Sequence, residues 1–301
     1  MKLQKALDKA KKNRHYRHVF VKETQERELE SRTPVQSRRP TQPPKVDKDD
    51  MVFKPVQDEN GTRWSPPVYS TSANIAADPD VLRKNRCICI EPDSAEAECY
   101  KLLRAKIQYQ AMKNDLRTVL ITSPTPGDGK TLTAVNLALV MARAYDQTVL
   151  LVDCDLKRQG VHKLFGVNSK SGLQHYLAEE ASLDRTIVWP GIEKISFISG
   201  GDPIMNSAEV LGAPRMKRLV KELKDRYEDR IVLLDAPPVL GGADTLALTS
   251  LVDGIVMVVS EGKTTMTEVR QSMETLPSEK LLGFVMNRQK GESLNGYYYR
   301  I

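Results

Sequence analysis

From residue 118 onward, short and continuously apolar runs recur along the chain, most of them followed by a stretch of helical periodicity. The runs are TVLITS (118–123), TVLLVD (148–153), ISFISG (195–200), IVLLDAPP (231–238), GIVMVVS (254–260) and LLGFVMNR (281–288). A strand with no polar alternation is buried on both faces, which is the situation of a parallel sheet covered by helices on either side. Strand alternating with helix therefore predicts an α/β fold with a doubly wound, mostly parallel sheet. In such sheets ligands bind beyond the carboxyl ends of the strands. Ahead of the first run, SAEAECYKLLRAKIQYQAMKN (94–114) predicts a helix. Cys99, Leu103 and Ile107 recur at four-residue spacing on one side of it, and Asp93 or Ser94 can cap its start.

The preceding residues have a different texture. Leu3, Ala6, Leu7 and Ala10 make a short amphipathic helical pattern among lysines over residues 1–13. This reads as a frayed solvated helix or as a docking helix for a partner or an anionic membrane surface. Residues 14–85 are basic, scattered with proline and poor in apolar side chains, and so read as a flexible linker. The expected organisation is an N-terminal extension over 1–85, a folded domain over 86–289 and a flexible tail over 290–301.

Composition narrows the picture only a little. The net charge of +6 permits an anionic partner without requiring one. No apolar run approaches the ~20 residues needed to cross a bilayer, and the basic N-terminus lacks the apolar core of a secretory signal. Cys87, Cys89, Cys99 and Cys154 do not form paired CxxC motifs, and suit free thiols in a reducing compartment.

The chemistry is concentrated after the predicted strands. VLITSPTPGDGKTLTA reads as strand, glycine-rich turn and helix. Backbone N–H groups at such a turn and helix start can hold phosphate oxygens. The candidate phosphate loop runs through Pro126, Gly127, Asp128, Gly129, Lys130, Thr131 and Leu132. Lys130 can reach the β- and γ-phosphates of ATP, and the Thr131 hydroxyl can bind Mg²⁺. The general pattern GxxxxGK[ST] asks for glycine at position 124, where this chain has Pro124. Two further runs end in carboxylates: Asp153 and Asp155 in VLLVDCDLKR, and Asp235 in IVLLDAPPV. Mg²⁺ takes oxygen ligands, usually one or two carboxylates together with phosphates and water. Phosphoryl transfer also needs an acceptor for the proton of the incoming hydroxyl. Thr131 with Asp153 or Asp235 suits the metal. Asp155 or Asp153 suits the proton.

Together, Ser123–Thr131, Val149–Arg158 and Ile231–Pro238 resemble the Walker A (SxxPGxGKT), A′ (hhhhDxD) and B (hhhhDxPP) motifs of the bacterial tyrosine kinases of polysaccharide biosynthesis. The resemblance covers about residues 86–289 and includes Ala208-Glu209-Val210-Leu211 in a segment similar to that family's SELL stretch. It implies a P-loop fold of the partitioning-ATPase type and a tyrosine autokinase using ATP and Mg²⁺. Ring-like self-association is implied through an ExxRxxR helix, here Glu98, Lys101 and Arg104, with lysine in place of the first arginine. The same resemblance implies a separate transmembrane chain-length regulator as activator, a cognate phosphotyrosine phosphatase and no nucleic acid. The expected location is the cytoplasm, with recruitment to the inner face of the membrane through the activator. It also bears on the terminal NGYYYRI. Tyr297, Tyr298 and Tyr299 otherwise read as a docking tail or a modification site, and the family carries such a cluster as its autophosphorylation site in trans.

A rival of the same fold is the partitioning or septum-site ATPase. Its deviant Walker A carries a signature lysine five residues before the P-loop lysine, and that position is Thr125 here.

Overall fold

The computed structural model describes residues 17–20, 73–91, 93–144, 147–169, 171–227 and 229–289. The expected N-terminal helix, most of the expected linker and the tyrosine tail lie outside the described residues. In chain order the elements are β1 (Arg17–Phe20), β2 (Ala73–Asn74), α1 (Pro79–Lys84), α2 (Ala95–Asn114), β3 (Thr118–Thr122), α3 (Lys130–Met141) and β4 (Thr148–Asp153). There follow α4 (Val161–Phe165), α5 (Leu173–Leu177), α6 (Leu183–Thr186), β5 (Ile187–Trp189), β6 (Ile195–Ile198), α7 (Ser207–Leu211) and α8 (Pro214–Asp225). The last are β7 (Arg230–Asp235), α9 (Asp244–Thr249), β8 (Gly254–Ser260), α10 (Met266–Thr275) and β9 (Leu281–Asn287).

The strands form one sheet in the order β1-β9-β8-β3-β7-β4-β6-β5-β2. Every pairing is parallel except that of β5 with β6. Strands β3, β4 and β7 are buried along their whole length. Successive side chains on a strand point to opposite faces, so each strand feeds two cores. Val119, Ile121, Val149 and Leu151 pack with Leu103 and Ile107 of α2 and Leu137 of α3. Leu120, Leu150 and Val152 pack on the other face with Met216, Leu219 and Leu223 of α8. This two-sided burial is the physical reason the runs lack polar alternation.

The helix ends follow local chemistry. Ser94 caps α2, its hydroxyl accepting from the Ala97 N–H at 3.1 Å, which resolves the choice between Asp93 and Ser94. α8 opens with Pro214, whose missing N–H costs nothing in a first turn.

The folded part begins earlier than the expected residue 86. β2 pairs with β5, and α1 is capped by Asp78, which accepts from the Asp80 N–H at 2.8 Å. Leu82 of α1 is buried in the first core. β1 adds in parallel to β9 at the opposite edge of the sheet. β1 and β2 lack the continuous apolar run of the central strands, and they form because a sheet edge offers unpaired N–H and C=O groups. β5, of three residues, pairs antiparallel with β6.

Candidate active site

The site is built at the carboxyl ends of the three central strands. β3 lies between β8 and β7, and β7 lies between β3 and β4. Asp153 and Asp235 close their strands as Cα partners of one another, and Ile121 pairs with Asp235. The loop after β3, the end of β7 and the end of β4 are thereby side by side, although more than a hundred residues separate the first from the last pairing partner in sequence.

The loop from Ser123 to Thr131 returns the chain into α3. Gly127 and Gly129 take φ of +80° and +95°, a left-handed backbone that a side chain would strain. At Gly129 a Cβ would lie 2.0 Å from Asn287 Nδ2. Gly129 is also the N-cap of α3, its carbonyl accepting from the Thr133 N–H at 2.9 Å. The loop therefore closes as a glycine-lined turn at a helix start, which fits a polyphosphate. Pro124 stands where its lack of an N–H does no harm. Its carbonyl accepts from the Leu240 N–H at 3.2 Å, and the Ser123 carbonyl accepts from the Val239 N–H at 2.8 Å. The segment after Asp235 thus anchors the start of the loop.

The charged centre is compact and almost dry. Lys130 Nζ lies 2.9 Å from Asp155 Oδ2, 3.6 Å from Asp235 Oδ1 and 3.3 Å from Thr131 Oγ1. The three aspartates differ in how they are engaged. Asp153 is fully buried, its Oδ2 accepting from the Gly160 and Val161 N–H groups at 2.9 and 3.0 Å and its Oδ1 from the Asp155 N–H at 3.2 Å. Asp155 accepts from Lys130 and, through Oδ1, from the Arg158 N–H at 3.0 Å. Asp235 is fully buried, and its oxygens have no partner at hydrogen-bond distance, Lys130 Nζ standing 3.6 Å from Oδ1.

The electrostatics follow from that placement. Burial, with the neighbouring Asp235 charge, pushes the Asp153 carboxyl up to about 7, against the pull of the Val161 and Gly160 N–H groups. Burial raises Asp235 as well, while the Lys130 ammonium and Thr131 hydroxyl oppose it. Burial alone would lower Lys130, but Asp235 and Asp155 hold it above the ordinary lysine value. Buried carboxylate oxygens left without donors are costly unless a cation completes them. Asp235, beside Thr131 and the glycine turn, fits Mg²⁺ accompanying a nucleotide.

The sequence and the fold are similar to those of known proteins. The model of a family described as an AAA domain matches residues 116–280. The tyrosine-protein kinase YwqD of Bacillus subtilis (strain 168) is 34% identical over 221 residues, covering 72% of this chain and 92% of YwqD. The chain belongs to the bacterial tyrosine kinase family. The Etk tyrosine-protein kinase of Escherichia coli K12 is 32% identical over 209 residues, which is 69% of this kinase but 28% of Etk. Among solved structures, the kinase domain of Etk superimposes with a TM-score of 0.64 at 28% identity, covering 75% of this chain and 93% of that one. The chimerical protein CapA2B2 gives 0.63 at 25% identity, covering 75% and 96%. Membership in this family carries the nucleotide-binding P-loop fold with it.

Not every expected residue joins the centre. Leu132 is the third residue of α3, Pro126 is exposed on the loop, and Asp128 is buried within it. Glu98 and Lys101 pair with each other along α2 at 2.6 Å. Arg104 turns inward, and its guanidinium donates to the Val140 carbonyl near the end of α3 at 2.8 Å. Two residues that sequence reading did not single out also touch the loop. Asn287 Nδ2 donates to the Asp128 carbonyl at 3.0 Å, and Lys263 Nζ lies 3.1 Å from Asp128 Oδ1. Each is more than 130 positions away in sequence, and no motif spacing connects them to the loop.

Proposed function

We propose that this kinase transfers the γ-phosphoryl group of ATP to tyrosines of its own C-terminal cluster, Tyr297, Tyr298 and Tyr299, in trans within a homo-oligomer. The observation that carries this reading is the placement of Lys130 between Asp155 and Asp235 at the start of α3. The lysine faces two carboxylates, Asp155 and Asp235. The phosphates of ATP, seated on the N–H groups of 127–131, compete for the same ammonium. As Lys130 turns to them, Asp155 loses the Lys130 donor and becomes free to accept the proton of the attacking tyrosine hydroxyl. Asp155 suits that role better than Asp153, whose oxygens are held by three backbone N–H groups. Asp235 and Thr131 would hold Mg²⁺, with Asp153 behind them. Bound there, Mg²⁺ supplies charge neutralisation at the β- and γ-phosphates.

Within the same reading, each phosphate adds about −1.5 to −2 charges to the tail, and repulsion between tails loosens the assembly. A separate transmembrane chain-length regulator recruits the kinase to the inner membrane face and activates it. A phosphotyrosine phosphatase resets it, and the output is control of capsular or exopolysaccharide synthesis.

Peptide mass spectrometry of the purified chain, with and without MgATP, tests the reading beside Lys130→Met. Phosphate on Tyr297–Tyr299 that requires both ATP and Lys130 is the expected result. Hydrolysis of ATP with an unmodified tail would overturn it in favour of a partitioning-type ATPase switch.

A further inference from the structure

A carboxylate inside an anion-binding loop is an electrostatic contradiction. Asp128 lies between Gly127 and Gly129, in the turn that must receive a polyphosphate, and it is fully buried. Its Oδ2 accepts from the Thr125 N–H at 3.0 Å and the Thr125 hydroxyl at 3.1 Å. Those neutral donors orient the carboxylate but leave its charge. The cation that faces it is Lys263, from the turn after β8, with Nζ 3.1 Å from Asp128 Oδ1. The same ammonium donates to the Pro126 carbonyl and sits 3.0 Å from where a Cβ on Gly127 would be.

The turn is built to hold Lys263 there. The Lys263 and Thr264 N–H groups both donate to the Ser260 carbonyl, at 3.2 and 2.9 Å. The Thr264 hydroxyl accepts from the Ser260 N–H at 2.8 Å. Gly262 takes φ of +71°, allowing the reversal. Lys263 remains part-exposed, with a side chain 41% accessible, so its ammonium is solvated on one side and paired on the other.

We propose that Lys263 is a nucleotide-positioning residue, which neutralises Asp128 so that the loop can accept phosphate. The proposal rests on the nucleotide-site reading above and adds to it a cation from the β8–α10 turn. Without that cation, Asp128 would repel the bound phosphates at short range and low effective dielectric, where unit charges interact most strongly. Lys263 acts through Asp128 and the loop backbone, and does not touch the reacting atoms. In this chain it provides a loop-directed positive charge where Thr125 provides none.

The test is equilibrium binding of a fluorescent ADP analogue to the full chain, with circular dichroism as the control for folding. Lys263→Met is expected to weaken binding about tenfold, the effect of one unneutralised charge at close range. Lys263→Arg should bind within about twofold of wild type, because it keeps the charge. The double variant Lys263→Met/Asp128→Asn should recover most of the loss, since it removes both charges and keeps the shape. Equal affinity of Lys263→Met and wild type would overturn the proposal. So would a double variant no better than Lys263→Met alone, because a purely structural contact is not repaired by removing its partner's charge. Failure of the wild type to bind at all would instead overturn the nucleotide-site reading, which keeps the two failures distinct.

Discussion

At the residue scale, the charged centre gathers three carboxylates around one lysine. Lys130 faces Asp155 and Asp235, while Asp153 is buried beside them and its oxygens accept from backbone N–H groups. This has a consequence for pH. A carboxyl raised on folding holds its proton more tightly in the native than in the unfolded state. Its contribution to stability is full below the unfolded pKa of about 4 and is lost as pH rises through the folded value, about 7 for Asp153. Nucleotide-free protein should therefore lose stability between those limits. Asp153→Asn, whose side-chain oxygen still accepts from Gly160 and Val161, should flatten the dependence. Urea unfolding at a series of pH values checks this, and an unchanged slope would refute it. The role of Asp155 is tested separately. Asp155→Asn should lower phosphoryl transfer by about a hundredfold or more, the scale of a lost general base, while ADP still binds.

At the element scale, α2 illustrates how a helix face is divided between uses. Cys99, Leu103 and Ile107 face the core, and Ser94 caps the first turn. Ser94→Ala should cost about 1 kcal/mol, the usual value of an N-cap hydroxyl. Arg104, expected from the resemblance to serve self-association, binds the Val140 carbonyl near the C-terminus of α3, where a cation also meets the negative end of the helix dipole. Arg104→Ala should then lower stability by about 1–2 kcal/mol at dilutions where no oligomer persists. A loss seen only in the assembled form would assign Arg104 to the subunit interface instead. Leu102, Tyr109 and Met112 are exposed on the same helix. A groove of about 570 Å³ is lined by α2 and by β8 and β9.

At the scale of the whole molecule, the position of β9 matters most. Its last residue, Asn287, touches the phosphate loop, so the chain continues toward the tyrosine cluster from the catalytic edge of the sheet. The tyrosines begin ten positions later, and a chain of that length spans at most about 36 Å. Truncation after Gln289 should leave ADP affinity unchanged, because every described site residue precedes that point. It should also abolish ATP-dependent phosphotyrosine in the protein. Persistent phosphotyrosine in the truncated chain, detected by mass spectrometry, would place the acceptor elsewhere.

The sequence alone determined the doubly wound sheet, the central strands, the helix over 94–114 and the three motifs, because each of these is written in contiguous residues. Burial on both faces demands an unbroken apolar run, and a phosphate turn demands glycine and lysine at close spacing. It could not distinguish the three aspartates. Asp153 and Asp155 lie two residues apart, and only the fold shows one oxygen set bound by backbone N–H groups, one bound by Lys130 and, at Asp235, one left without a donor. Nor could it place Lys263 or Asn287 on the loop, or add β1, β2 and α1 to the fold ahead of residue 86. Those features exist only where strands distant in sequence are hydrogen-bonded side by side, so that loops from separate strand ends come within a few ångströms.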